Sequence, residues 1–110
     1  MATIDDFSRI EMRLGRIQTV DRVPDTDKLL RLSVDFGEEA PRQVVSGIAQ
    51  YLADPQALVG KLCPFVTNLE PRTIRGLESQ AMIVAVHEGC DTFSILEPTM
   101  ASLAPGTKLG

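Results

Sequence analysis

The sequence predicts an all-β domain: a five-stranded barrel of the OB type with a short N-terminal helix and a C-terminal extension. Three observations lead there. Apolar residues recur with period two in several short runs, the pattern of half-buried strands. Gly, Pro, Asp and Asn punctuate the chain between those runs. Helical patterning is confined to a few short stretches. Five main strands within roughly 85 residues fit a Greek-key barrel better than a sandwich. A chain of 110 residues can bury enough surface to fold without disulfides or a structural metal, and residues 1–110 read as one unit.

Thr3 is placed as a helix N-cap, with Asp6 three residues on in a capping-box position. Phe7 and Ile10 then share a face of a short helix. In the segment from Glu11 to Val20, Met12, Leu14, Ile17 and Val20 are apolar, and the alternation slips at Gly15-Arg16. That slip predicts a bulge or bend in a strongly coiled first strand. Pro24 to Asp27 is a turn. Leu30, Leu32, Val34 and Phe36 face one way along a second strand. A loop at 37–41 leads to a third strand, Arg42 to Ser46. Ile48 to Leu52 is a single helical turn. Asp54 caps another, with Pro55 at its first position. Lys61 to Val66 is a fourth strand, where Pro64 predicts an edge or bulged position. Residues 68–78 read as a long irregular loop. Ser79 to His87 reads as an apolar fifth strand, buried along most of its length. Thr92 to Leu96 is a short strand, and Pro98 and Pro105-Gly106 break the tail.

Composition excludes several classes. No run of about 18 apolar residues marks a membrane span, and the N-terminus lacks the basic start and apolar core of a secretory signal. A cytoplasmic location is expected. Two cysteines, Cys63 and Cys90, fit reduced thiols there. With one histidine, His87, they fall short of a structural zinc site. There is no GxGxxG, no Walker-type GxxxxGK, no HExxH and no GxSxG, so neither catalysis nor a cofactor is expected. Met1 and the compact ends are expected of a complete chain.

The net charge of −4 argues against nucleic acid as a partner. Its distribution is uneven. Ten of the eleven Lys and Arg fall between Arg9 and Arg75, and residues 1–75 carry these ten with eleven acidic groups for a net −1. Residues 76–110 carry one basic and four acidic groups, net −3. A local basic face is compatible with these numbers. The segment from Asn68 to Ser79 concentrates two guanidiniums (Arg72 and Arg75), an amide and a hydroxyl between the fourth and fifth strands, with Gly76 freeing the backbone. OB folds bind oligonucleotides with this loop, the loop between strands one and two, and the face of strands two and three. Arginine suits the task because its planar fork binds phosphate bidentately or stacks on a base.

Nearly the whole chain resembles one family. The likeness runs through Ile4-Asp5-Asp6-Phe7, Met12-Arg13-Leu14-Gly15-Arg16-Ile17, Asp27-Lys28-Leu29-Leu30-Arg31-Leu32, Arg42-Gln43-Val44-Val45-Ser46-Gly47-Ile48 and Asp54-Pro55-Gln56-Ala57-Leu58-Val59-Gly60-Lys61. It is most specific at Asn68-Leu69-Glu70-Pro71-Arg72-Thr73-Ile74-Arg75-Gly76 and Ser79-Gln80-Ala81-Met82. In this order and spacing they resemble the tRNA-binding domain family. Its members occur at the C-terminus of bacterial methionyl-tRNA synthetases, as free-standing tRNA-binding proteins and as a separate β subunit of archaeal synthetases. The resemblance implies an OB core, a homodimer built with the N-terminal helix and the segment after the barrel, and shape-directed tRNA binding with little base specificity. The protein would act free-standing or assist a methionyl-tRNA synthetase in trans. The implied tRNA-contacting set is Lys28, Asn68, Arg72, Arg75, Ser79 and Met82. Lys28 and the arginines would meet phosphate, and Asn68 and Ser79 would hydrogen-bond. Met82 lies in an apolar strand, where core filling is the commoner role. Two departures stand out: Thr73 replaces a basic residue frequent in the family, and Gln80 replaces a glutamate. The alternative implied by the opening Thr3-Ile4-Asp5-Asp6-Phe7 is a polypeptide-binding secretion chaperone of the same superfamily, which the low pI would suit.

Overall fold

A computed structural model describes residues 1–89 and 91–110; Cys90 lies outside the described residues. Helix α1 spans Ile4–Ser8 and starts where the capping box predicts. The Asp6 N–H donates to Thr3 Oγ1 (3.2 Å) and the Thr3 N–H donates to Asp6 Oδ2 (2.9 Å). Two otherwise unpaired backbone donors are thereby satisfied. The helix buries none of its own residues.

Strand β1, Met12–Arg22, is the spine of the barrel. It pairs antiparallel with β2 (Leu30–Asp35), with β4 (Leu62–Val66) and, at its start, with β10 (Lys108–Leu109). β3 (Arg42–Ser46) extends the sheet beyond β2, and β7 (Met82–Ile83) extends it beyond β4, giving the order β3-β2-β1-β4-β7. The two outer strands then approach each other and nearly close the sheet. The Gln80 N–H donates to Gln43 O (2.8 Å), the Gln43 N–H donates to Gln80 Oε1 (2.9 Å), and the Val45 N–H donates to Ser79 Oγ (3.0 Å). These bonds satisfy much of what would otherwise be two bare strand edges.

The period-two pattern of β2 places Leu30, Leu32 and Val34 wholly inside, joined by Ile17, Val44 and Phe65. Phe36 meets Phe65 edge to face at 5.2 Å between ring centroids. Each such side chain contributes ~1.5–3 kcal/mol by leaving water. The two 3₁₀ turns, Ala49–Tyr51 and Pro55–Leu58, lie where the sequence predicts helical turns, and Asp54 caps the second.

Three expectations need correction. The β1 register slips between Ile17 and Thr19, not at Gly15-Arg16. Gly15 has a different cause: a Cβ there would stand 2.5 Å from Val34 Cγ1 and 2.6 Å from a Phe36 ring carbon. Pro64 is neither at an edge nor bulged; it sits mid-strand in β4, every residue of which is buried. The Thr67 N–H donates to Glu11 O and the Ile17 N–H donates to Lys61 O. The alternation of antiparallel pairs then leaves Leu14–Pro64 as a pair exchanging no backbone hydrogen bonds, so a missing N–H costs nothing toward β1. Third, the stretch from Ser79 to His87 is not one buried strand. It divides among the end of β6 (Leu77–Ser79), β7, and β8 (Ala85–Glu88), and β8 pairs with β9 (Thr92–Ile95) in a separate two-stranded sheet. Ser79 and Ala81 turn inward, whereas Met82 and Val86 are nearly half exposed. A short apolar run does not by itself reveal how many of its faces are covered.

The tail returns to the first strand. The Leu14 N–H donates to Thr107 O, the Gly106 N–H donates to Leu14 O, and Met12 pairs with Leu109. No helix among the described residues is long and apolar enough to cross a membrane.

Candidate nucleic-acid interface

Residues 72–79, read from sequence as an irregular loop, form a hairpin: β5 (Arg72–Ile74) and β6 (Leu77–Ser79). Ile74 pairs with Leu77, leaving Arg75 and Gly76 as a two-residue tip. Both have positive φ, 53° and 79°. That is the backbone sense of a type I′ turn, whose twist suits a tight hairpin. Gly76 adopts it without penalty; Arg75 does so at a cost of order 1 kcal/mol. Such strain at an exposed charged tip is a recurrent sign of functional placement.

The hairpin tip faces the loop between β1 and β2. Asp25 to Leu29 on one side and Ile74 with Arg75 on the other line a cleft of about 420 Å³. The structure therefore brings Lys28 and Arg75 together across 47 residues of sequence, in a cleft that Leu29 and Ile74 also line. The loop is held from below: Thr26 Oγ1 donates to Val23 O (2.8 Å), and the Ala49 N–H donates to Lys28 O (2.9 Å). Asp25 and Asp27 border the same cleft and weaken its positive field. Arg72 is exposed at the base of the hairpin.

Three other expected residues have different surroundings. Asn68 uses both ends of its amide within the chain: the Glu11 N–H donates to Oδ1, and Nδ2 donates to Arg9 O, each at 2.8 Å. It thereby ties the end of α1 to the barrel. Ser79 is 8% exposed; besides accepting from Val45 N–H, its hydroxyl donates to Ala81 O (3.1 Å). It anchors the hairpin on β3. Met82 is 47% exposed, so it does not fill the core.

Two arginines escaped the sequence reading. Arg31 and Arg42 border a 200 Å³ polar cleft on the outer face of β1–β3, with Thr19, Asp21, Ser33 and Gln43. Arg31 lies 3.6 Å from Asp21. Arg42 is more constrained: it pairs with Glu38 (2.8 Å), donates to Thr67 O (2.7 Å) and sits 5.4 Å over the Phe36 ring. The signal was present, since period two sends Arg31 and Ser33 to the face opposite Leu30 and Leu32.

Elsewhere, electrostatics serve the frame. Arg13 and the Thr67 hydroxyl both hydrogen-bond the Glu11 carboxylate and hold its pKa down at about 2. Arg42 likewise keeps the Glu38 carboxyl below its usual range. Burial pushes the Cys63 thiol up to about 11, as for a packed, inert cysteine. Among the described residues, no group of three or more His, Cys, Asp or Glu side chains could hold a metal ion.

Fold and cleft together define a small OB-type barrel whose inter-strand loops carry Lys28 and Arg75 at one cleft. Residues 12–108 match the family described as "Putative tRNA binding domain", and the chain belongs to that tRNA-binding domain family. The family is a binding domain rather than a catalytic one. Similar curated proteins include the methionine–tRNA ligase of Chloroherpeton thalassium, 46% identical over 96 residues (87% of this chain, 13% of that one). That of Thermotoga maritima is 43% identical over 107 residues (97% of this chain, 16% of that one). The chain thus spans about a seventh of the length of these synthetases. A methionyl-tRNA-synthetase-related protein from Pyrococcus horikoshii superposes with a TM-score of 0.91 at 30% identity, covering 100% of this chain and 98% of that one. Chaperone CsaA from Bacillus anthracis superposes with a TM-score of 0.85 at 30% identity, covering 100% and 99%.

Proposed function

We propose that this chain is a dimeric, cytoplasmic module that binds tRNA by shape, free-standing or in trans to a methionyl-tRNA synthetase. The observation that carries the site is the convergence of Lys28 and Arg75 from two separate loops on one cleft, with Arg72 exposed at the base of the same hairpin. In this reading the three cations meet phosphates and Met82 touches the nucleic acid from the adjoining strand. Asn68 and Ser79 act by fixing the frame from which the cations project. With a net charge of −4 the long-range field does not attract RNA, so affinity depends on local contacts and is modest.

A homodimer supplies what one copy lacks. Helix α1 and the residues just after it leave Ile4, Phe7 and Ile10 exposed, and a 310 Å³ apolar cleft lies among Leu14, Pro64, Leu96, Pro98, Leu103 and Leu109. Pairing two copies through these surfaces would cover both and double the cationic contact area.

The test is a tRNA titration at low salt on the wild type beside Arg72→Ala/Arg75→Ala. The wild type is expected to bind with an affinity that falls steeply with salt, because phosphate contacts release counterions. The double variant should bind at least tenfold more weakly with a shallower salt slope. Equal affinity would remove the site assignment; no binding above a charge-matched control would remove the function.

The likeness to chaperone CsaA favours a second reading, a dimer that binds unfolded polypeptide. It predicts suppression of aggregation that added tRNA leaves unchanged.

A further inference from the structure

The chain has one tyrosine and no tryptophan. Tyr51 closes the 3₁₀ turn that follows β3, and it stacks on Phe93 of β9 at 5.1 Å and 9° between rings. The His87 ring meets Tyr51 edge-on at 5.0 Å, and its Nε2 is hydrogen-bonded to the tyrosine hydroxyl. Half of the chain's six Phe, Tyr and His side chains thus gather at one place, at the margin of the main core, against which Tyr51 and Phe93 pack. They border a cleft of about 310 Å³ whose other walls include Ser46, Ile48 and Ile83.

The lining decides what fits. An aromatic lining favours a planar aromatic ligand, and the Ser46 hydroxyl and the His87 ring nitrogen not bonded to Tyr51 offer hydrogen bonds to its edge. The volume is at the lower end for small-ligand sites, enough for one base. The cleft also adjoins the cationic site through the backbone. Ala49, which opens the turn ending in Tyr51, donates its N–H to Lys28 O. Leu29 lines the cationic cleft, and Leu30 after it pairs with Ser46 of the aromatic one.

We propose that the Tyr51–His87–Phe93 cleft takes one unpaired nucleobase from an RNA whose backbone crosses Lys28 and Arg75. This rests on the tRNA-binding reading above. It adds base stacking, which is sequence-tolerant because every base has a π face, to phosphate contacts that an acidic chain can supply only sparingly.

Tyr51 is its own reporter. Whole tRNA, an adenosine hexaribonucleotide and a reduced, unfolded polypeptide are titrated separately into the full chain. Tyrosine emission is followed with absorbance correction, and tRNA retention on a filter is measured in parallel. Saturable quenching by both RNAs is expected. Phe93→Leu, which keeps apolar volume but removes the ring, should weaken hexanucleotide binding about 5- to 150-fold, the equivalent of ~1–3 kcal/mol for one stacked base. His87→Ala, at an exposed position less able to disturb folding, should weaken it in the same direction. Retention of tRNA with unchanged emission would overturn the base site and leave the tRNA reading standing. Quenching by the hexanucleotide without tRNA retention would support the base site and overturn tRNA as the partner. Quenching by the polypeptide alone, or by nothing, would overturn the base site.

Discussion

Replacing Ser79 by Ala separates a frame residue from an RNA contact. In the structure its hydroxyl accepts the Val45 N–H at 3.0 Å and donates to Ala81 O, at a site 8% exposed. Val45 is itself buried and points its N–H toward the seam that closes the barrel. The substitution leaves that N–H without a partner or water, which costs ~1–3 kcal/mol. An entropy of unfolding near 2.1 cal/mol/K per residue makes each kcal/mol worth roughly 4 °C at this chain length. The melting temperature of Ser79→Ala should therefore fall by about 4–13 °C. At a temperature where both proteins are folded, tRNA affinity should stay within about twofold of wild type. Thermal unfolding by circular dichroism and a filter-binding titration read the two quantities. An unchanged melting temperature with a tenfold loss of affinity would refute this account and make Ser79 a direct contact.

Other substitutions test the frame more broadly. Gly15→Ala places a methyl 2.5 Å from Val34 and 2.6 Å from Phe36, so denaturant titration should show a loss of ~1–3 kcal/mol from overpacking. The Glu11 carboxyl has its pKa lowered from 4.5 to about 2 by Arg13 and Thr67. Its contribution is complete above pH 4.5 and is lost as the pH falls toward 2. Wild type should lose stability across that window faster than Glu11→Gln, the two curves converging at the acid end; parallel curves would show that the pair contributes nothing.

Much of the barrel was legible because its signals are local. The Thr3–Asp6 capping box, the alternation of Leu30, Leu32 and Val34, and the Asp54-Pro55 start each depend on residues a few positions apart. The 72–79 hairpin was not legible. Its strands are three residues each, and its turn is Arg-Gly rather than the Asn-Gly that usually marks this geometry. Nor was the seam, whose Gln43–Gln80 and Val45–Ser79 bonds join residues 37 and 34 positions apart. Of the candidate site, the residue types were readable. The pairing of Lys28 with Arg75 on one cleft was not, because it follows from how two loops meet. The internal commitments of Asn68 and Ser79 are equally invisible to spacing, since a polar side chain in a loop carries no mark of what it will bond.

The return of the tail to β1 bears on how the molecule is made. Arg13 reaches the Gly106 carbonyl across a separation of 93 residues, and Leu14 exchanges hydrogen bonds with the same segment. Translation delivers Arg13 well before Gly106, so the spine of the barrel waits for this partner until the other barrel strands have emerged. Loop closure over such a span must be met before the contact rewards it, which places the protein among slow-folding, high-contact-order topologies. During that wait the N-terminal half of β1 has β4 on one side, while its other edge, at Met12 and Leu14, stays bare. The nascent chain is at its most adhesive while its first strand is still unfinished.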